Sequence, residues 1–280
     1  IASIFFTRGP CEVRPQANAQ SAPHLLGSGA VEMKAIILSA GQGSRLGHMV
    51  DDRPKCLIDF NGRSLLDRQL DMLDANGVGE AVVVTGFHDE MVDEAIARRS
   101  GGPAVRTVFN PFYKVADNTG SLFMAREELA GDCLVWNGDT LVSRALMARV
   151  VANRRAGICV TIDRKPSYDE DDMKVVEEAG RLRAIGKRLA KGVNAESIGL
   201  LAFRAGGAER FRDAIDRAMR TPEGTTIWYL RVIHHLAQNG EVGTLDIEGE
   251  EWGEVDFPAD VDSARALTAR WDAAEKAAAA

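Results

Sequence analysis

The chain has 280 residues, 45% of them apolar and 27% charged, with a formal net charge of −7. This is the composition of an ordinary soluble globular protein, large enough for one substantial domain or two small ones. An acidic body has no general attraction for nucleic acid or an anionic membrane, so neither is expected as a partner. No apolar run reaches the roughly eighteen residues of a membrane-spanning helix.

Residues 1–32 lack periodicity and read as a disordered N-terminal extension. The apolar piece from Ile1 to Phe6 is too short for a signal-peptide core, and no positive region precedes it. Arg8 and Arg14 cancel Glu12 and Glu32, so the remainder carries the whole −7. Met33 looks like a natural start. The run Lys34-Ala35-Ile36-Ile37-Leu38 then reads as a buried strand. Ser64, with Asp67 three residues later, suits a helix cap; Leu65, Leu66, Leu70 and Leu73 form its stripe, and Gly77 ends it. A strand over 81–85, a helix over 89–99 with Val92 and Ile96 inward, a strand over 105–109, a helix over 119–129 and a strand over 133–136 follow. This alternation predicts a parallel sheet covered on both faces.

The rhythm then changes. A strand over 158–163 precedes a hairpin built from 173–177 and 182–186, and another strand covers 198–203. Helices over 208–219 and 226–238, a strand over 242–247 and a helix over 258–271 complete the pattern. The expected fold is α/β: a Rossmann-like, mostly parallel mixed sheet flanked by helices, with a smaller β-rich half for an acceptor. One domain would span 33–272, with a disordered tail over 273–280. At most one of Trp228 and Tyr229 can face inward on its helix, and His234-His235 lacks metal-ligand spacing and reads as helix surface. Cys11, Cys56, Cys133 and Cys159 form no C-x-x-C pair and read as reduced thiols of a cytoplasmic protein.

The most informative segment runs from Leu38 to Leu46, LSAGQGSRL, followed by Pro54-Lys55. A strand opening into a glycine-rich loop presents bare backbone N–H groups to an anion. Gly41 and Gly43 allow close approach, and Arg45 and Lys55 add fixed positive charge. The spacing is neither G-x-G-x-x-G nor a Walker A loop; it is also compatible with a plain turn of small residues. With the two cations it reads as a cradle for a nucleoside triphosphate. Ligands of open parallel sheets sit beyond the carboxyl ends of the strands, which is where Asn137-Gly138-Asp139 falls. An Asp there suits Mg²⁺, which takes one or two carboxylates plus phosphate oxygens.

These residues resemble the nucleotidyltransferases that couple a nucleoside triphosphate to a phosphorylated sugar or alcohol, whose signature is a strand, L-x-A-G-x-G-x-R-L, and then P-K. Within that family the chain is most similar to bacterial phosphocholine cytidylyltransferases, through Pro54-Lys55-Cys56-Leu57, through Asn110 with Asn118 and Ser121, and through Glu254-Val255-Asp256. The likeness extends from Met33 to about Arg270. It implies nucleotide contacts from Leu38, Ala40, Gly41, Gln42, Gly43, Ser44, Arg45, Lys55, Asn118, Ser121 and Asp139. It implies Asp139 and Asp256 as the pair that holds Mg²⁺, and Arg45, Lys55 and Lys174 as catalytic. Lys174 and Glu196 would meet the acceptor, and Lys187, after Ile185-Gly186, is a secondary candidate. Trp228 is one of several aromatic residues available to a choline headgroup.

The implied reaction is attack by an acceptor phosphate oxygen on the α-phosphorus of CTP, with release of pyrophosphate. A phosphomonoester loses its second proton near pH 6 or so, so no general base is required. The expected partners are thus CTP, or another triphosphate, and a small phosphorylated acceptor, with a homo-oligomer left open. Two alternatives stay open: a sugar-1-phosphate nucleotidyltransferase using UTP, GTP or dTTP, and a nucleotide-sensing subunit without turnover.

Overall fold

The computed structural model describes residues 33–50 and 52–279. The expected N-terminal extension and Cys11 lie outside them. In chain order the strands are β1 (Lys34–Leu38), β2 (Asp59–Phe60), β3 (Arg63–Ser64), β4 (Glu80–Thr85), β5 (Ala104–Phe109), β6 (Cys133–Asn137), β7 (Thr140–Val142), β8 (Ile158–Asp163), β9 (Lys174–Glu178), β10 (Arg181–Ile185), β11 (Ala195–Phe203), β12 (Val242–Asp246) and β13 (Trp252–Glu254). The helices are α1 (Leu65–Asp74), α2 (Asp89–Ala97), α3 (Asn118–Met124), α4 (Arg144–Ala152), α5 (Gly207–Met219), α6 (Tyr229–Gln238) and α7 (Pro258–Ala279).

Nine strands form one sheet in the order β5-β4-β1-β6-β11-β8-β12-β10-β9. The first four pair in parallel. The aliphatic runs of β1, β4 and β6 are buried on both faces, as parallel strands under helices require, while β5 is the partly exposed edge. The second half is chiefly antiparallel: β11 runs against β6, β8 and β9, and β10 against β9 and β12. The sheet is therefore mixed, with its parallel part in the N-terminal half of the domain; an antiparallel neighbour such as β10 beside β9 needs only a hairpin, not a crossover helix. One apolar core packs on each face. A third, small core joins Leu46, Val50, Ile58 and Phe60 to Leu141, Val255 and Val261. It clamps the segment after the glycine loop against the β7 and β13 ribbon and α7.

Local chemistry sets most element boundaries. Ser64 Oγ accepts the Asp67 N–H at 3.0 Å while the Asp67 carboxylate accepts the Ser64 N–H, which closes a capping box on α1. Four of the helices depart from the sequence reading. Helix α4 was not anticipated; Ser143 caps it and Leu146, Met147 and Val150 are its buried face. The helix expected over 119–129 leaves helical geometry at Ala125 and ends as a separate turn over Arg126–Glu128. The helix expected from 226 begins only at Tyr229, because Ile227 and Trp228 are extended. The expected disordered tail is helical: α7 continues to Ala279 through an alanine-rich stretch, the best helix former. Bidentate pairing of Asp272 with Arg68 anchors its last turns.

Tyr229 is buried and Trp228 is exposed, so one of the two faces inward. His234 is not plain surface, however: its Nδ1 accepts the Ile185 N–H at 3.2 Å and ties α6 to β10. Burial first, then His235 and Arg231, lower its pKa below the usual value. Cys56, Cys133 and Cys159 are buried free thiols, which burial pushes up to about 12, 12 and 11. No described helix is long and apolar enough to cross a membrane.

Candidate active site

A cavity of about 690 Å³ opens at the carboxyl ends of β1 and β6 and extends toward β9 to β11. Leu38 stands opposite Asn137 in the parallel register, so the glycine loop and Gly138-Asp139 leave the sheet side by side. Gly43 has φ +74°, and a Cβ there would lie 3.0 Å from the Lys55 side chain. The left-handed turn therefore brings the loop backbone directly against the Lys55 stem. Pro54 precedes Lys55 in extended geometry and starts the short turn Lys55–Leu57.

Three carboxylates meet at the centre. The Val255 N–H donates to the Asp139 carbonyl at 3.0 Å, and Glu254 pairs with Thr140 across β13 and β7. In the alternation of Glu254-Val255-Asp256, Val255 is buried in the third core and its two acidic neighbours face the cleft. Asp139, Glu254 and Asp256 can each place one oxygen within 4.8 Å of the others'. Lys55 Nζ lies 2.9 Å from Asp139 Oδ2 and 2.7 Å from Asp256 Oδ1. Arg45 Nη2 lies 2.7 Å from Asp256 Oδ2, and its guanidinium sits 5.1 Å over the Phe257 ring. Burial acts to lower the Lys55 pKa, but the two aspartates outweigh it and hold the ammonium above its ordinary value. Shelter by the cleft walls and the charges of Asp139 and Asp256 push Glu254 up to about 8. Because the residue as a whole is exposed at the cleft, repulsion between like charges is the weightier cause.

This donor set fits a hard divalent cation: three carboxylates, no sulfur or imidazole, beside a cradle for phosphate oxygens. Sequence reasoning assigned Asp139 and Asp256 and missed Glu254. The i, i+2 spacing of Glu254 and Asp256 puts both on one face of extended chain; that this face meets Asp139 comes from the pairing of β13 with β7.

At the end of the cleft formed by α3 and α6, Asn118 Oδ1 accepts the Tyr229 N–H at 3.0 Å, which leaves its amide NH₂ as a donor. Ser121 Oγ accepts from buried Asn110 Nδ2 at 3.1 Å. Tyr229 Oη donates to Asn137 Oδ1, which fixes the end of β6.

At the other end, a register shift in β11 surrounds Gly199, whose φ is +73°; a Cβ there would strike Asn137 at 2.4 Å. Glu196 and Ser197 precede it and line the cleft. Glu196 is 4% exposed. Lys165 Nζ bridges it, at 3.0 Å, to Asp172, at 2.8 Å. Burial, opposed by Lys165 and reinforced by Asp172, pushes Glu196 up to about 7. Trp228 lines the cleft, but Lys187 Nζ already lies 5.2 Å over its ring.

Of the residues singled out from sequence, all but Gln42 and Lys174 line this one cleft. Gln42 sits at the exposed tip of the glycine turn. Lys174, expected at the acceptor, instead donates from Nζ to the carbonyls of Asp169 and, at 3.0 Å, Lys187. Its ammonium is spent on tying two loops together. The cation that reaches the cleft from this hairpin is Lys187.

The MobA-like NTP transferase domain family matches residues 35–195. The chain is 30% identical over 238 residues to the CMP-5'-(3-aminopropyl)phosphonate synthase of Streptomyces rubellomurinus, covering 82% of this chain but 38% of that protein. It is 25% identical over 231 residues to the choline-phosphate cytidylyltransferase of Streptococcus pneumoniae, covering 80% of this chain and 93% of that one. The solved CTP:phosphocholine cytidylyltransferase from Streptococcus pneumoniae superposes with a TM-score of 0.69 at 22% identity, over 85% of this chain and 100% of that one. That likeness establishes a shared fold. The family match, which spans more than half of the chain, shows that this chain belongs to the MobA-like NTP transferases, a family of nucleotidyltransferases.

Proposed function

We propose that the protein is a Mg²⁺-dependent cytidylyltransferase that moves CMP from CTP to phosphocholine or a related phospho- or phosphono-alcohol and releases pyrophosphate. The observation that carries this reading is the meeting of Arg45 and Lys55 with Asp139, Glu254 and Asp256 in one cleft beside the glycine loop. The names of the two sequence relatives point to cytidylyl products of a phosphonate and a choline phosphate.

In this reading an acceptor phosphate or phosphonate oxygen attacks the α-phosphorus. A new P–O bond forms, the α–β bridging P–O bond breaks, and pyrophosphate leaves with that electron pair. The attacking oxygen is already anionic near neutral pH. The site's task is therefore alignment and charge neutralisation. Arg45 holds the leaving β- and γ-phosphates, and Lys55 the oxygens near the α-phosphorus. Asp139 and Asp256, with Glu254 beside them, would hold Mg²⁺, which supplies charge compensation on the triphosphate when bound. The free amide NH₂ of Asn118 and the hydroxyl of Ser121 face the base, where N3 and O2 of cytosine are acceptors. Lys187 takes the acceptor's phosphate or phosphonate group, and Lys174 positions it.

One observation bears on the acceptor's headgroup. Trp228 already carries a lysine on its face, and Tyr113 is the one other aromatic residue lining the cleft. That is a poor cage for a quaternary ammonium. Asp171, Asp172 and Glu196 line the same end and better suit a primary ammonium, which donates hydrogen bonds.

The test is to incubate the protein with CTP, UTP, GTP or dTTP, Mg²⁺ and a panel of acceptors: phosphocholine, aminoalkyl phosphates and phosphonates, and sugar 1-phosphates. Pyrophosphate release with CTP and an alcohol phosphate or phosphonate is the expected result. Release only with sugar 1-phosphates, or with none of the acceptors, removes the reading.

A further inference from the structure

Both acidic residues that would hold the metal are already engaged by cations of the chain itself. Lys55 Nζ bonds Asp139 Oδ2 and Asp256 Oδ1, and Arg45 takes Asp256 Oδ2. The Lys55 side chain is only 11% exposed. Among the described residues, Glu254 is the one member of the triad whose carboxylate has no hydrogen bond or ion pair. An ammonium wedged between two carboxylates sits where a divalent cation would bind them, and two positive charges do not share such a seat.

We infer that Lys55 is an internal counter-cation that holds the seat between Asp139 and Asp256 until a nucleotide phosphate draws it away, so that metal and nucleotide bind as a coupled pair. This rests on the metal-dependent reading above. The lysine stem supplies the pivot. Its Cβ and Cδ lie against Gly43, each 3.0 Å from where a Cβ on that glycine would be, so the stem runs along the phosphate cradle while its tip reaches the acids. Rotation of the terminal torsions moves the ammonium from the aspartates toward an α-phosphate in the loop. A phosphate there offers Lys55 a new anionic partner and frees Asp139 and Asp256 together. Glu254 is the carboxylate open to the entering cation throughout. Linkage makes the effect reciprocal: whatever factor the phosphate gives to metal affinity, the metal returns to nucleotide affinity.

The test is a titration with Mn²⁺, followed by electron paramagnetic resonance of the free ion, on the whole protein without any acceptor. Wild type, Lys55→Met and Asp139→Asn are compared, each with and without saturating CMP, which carries an α-phosphate and binds Mn²⁺ weakly by itself. Without nucleotide, Lys55→Met binds Mn²⁺ at least about tenfold more tightly than wild type, as expected when a competing charge is removed. CMP tightens Mn²⁺ binding by wild type and does much less for Lys55→Met, in which nothing remains to be displaced. Equal Mn²⁺ affinity in wild type and Lys55→Met, with binding still lost in Asp139→Asn, overturns the role of Lys55 and leaves the proposed function standing. Mn²⁺ binding unaffected by Asp139→Asn overturns it differently, by removing the metal seat on which that function also depends. Should Lys55→Met fail to fold, Lys55→Gln, neutral and polar at the same position, takes its place under the same two outcomes.

Discussion

The backbone N–H of Val255 donates to the carbonyl of Asp139 at 3.0 Å. That one bond sets two distant stretches of chain side by side and places Asp256 next to Asp139. It belongs to the short β7 and β13 ribbon, which the third core supports from below through Leu141 and Val255. The acidic centre is thus built on paired backbone and packed aliphatic side chains, so polar substitutions at the carboxylates change chemistry more than fold.

Asp139→Asn and Asp256→Asn should each lower kcat by roughly a hundredfold or more, about 3 kcal/mol of transition-state stabilisation. Far-UV circular dichroism should be unchanged. Pyrophosphate release at saturating CTP measures the loss; turnover near the wild-type rate in Asp139→Asn would show the assignment to be wrong.

Gly43→Ala introduces a side chain at φ +74° and crowds the Lys55 stem. The backbone cost is about 1 kcal/mol. Displacement of Lys55 should add a loss in kcat/KM for CTP that Gly41→Ala does not match, because no atom lies within 4 Å of a Cβ at Gly41. Thermal melts and CTP kinetics on the two variants separate strain from function.

Glu196 has a folded-state pKa raised to about 7 from 4.5, by burial first. Its contribution to stability is therefore fully present below about 4.5 and is lost as pH rises through about 7. Binding of an ammonium-bearing acceptor needs the ionised form, so KM for that acceptor should fall as pH rises through about 7. Glu196→Gln should flatten this inflection while KM for CTP is unmoved; a profile that keeps it would place the titrating group elsewhere.

Lys187→Ala should raise KM for the acceptor roughly tenfold or more, since a charge-assisted contact to the phosphate is lost. KM for CTP should stay near wild type. Lys174→Ala removes the tie to the Asp169 and Lys187 carbonyls; it should lower Tm and raise the acceptor KM less than Lys187→Ala does. The reverse order would return the direct role to Lys174.

Much of the fold was legible in local sequence. The Ser64 and Asp67 box, the Leu65 to Leu73 stripe and the aliphatic runs of β1, β4 and β6 announce themselves through capping chemistry and periodicity. Helix α4 was missed because its nine residues follow a three-residue strand and a one-residue turn. The tail of α7 was misread because alanine-rich segments can be read either way until a partner such as Arg68 is known. His234 looked like surface because its partner is a backbone N–H of a strand 49 residues away.

The candidate site divides in the same manner. Gly43, Arg45, Lys55 and Asp139 are visible in sequence, because phosphate cradles and strand-end carboxylates need particular residue types at short spacing. Which lysine of the β9 and β10 hairpin reaches the cleft was not visible. Lys174 and Lys187 both flank the same hairpin, and only the carbonyls that Lys174 meets decide between them. Glu254 likewise gains meaning only from the ribbon that turns it toward Asp139. Local sequence is enough for the alternating elements, the glycine loop and the kinds of group available, because these depend on neighbours along the chain. Tertiary structure decided the pairing of Lys55 with Asp139 and Asp256, because charges 84 and 201 residues apart interact only once packing has brought them within hydrogen-bond distance.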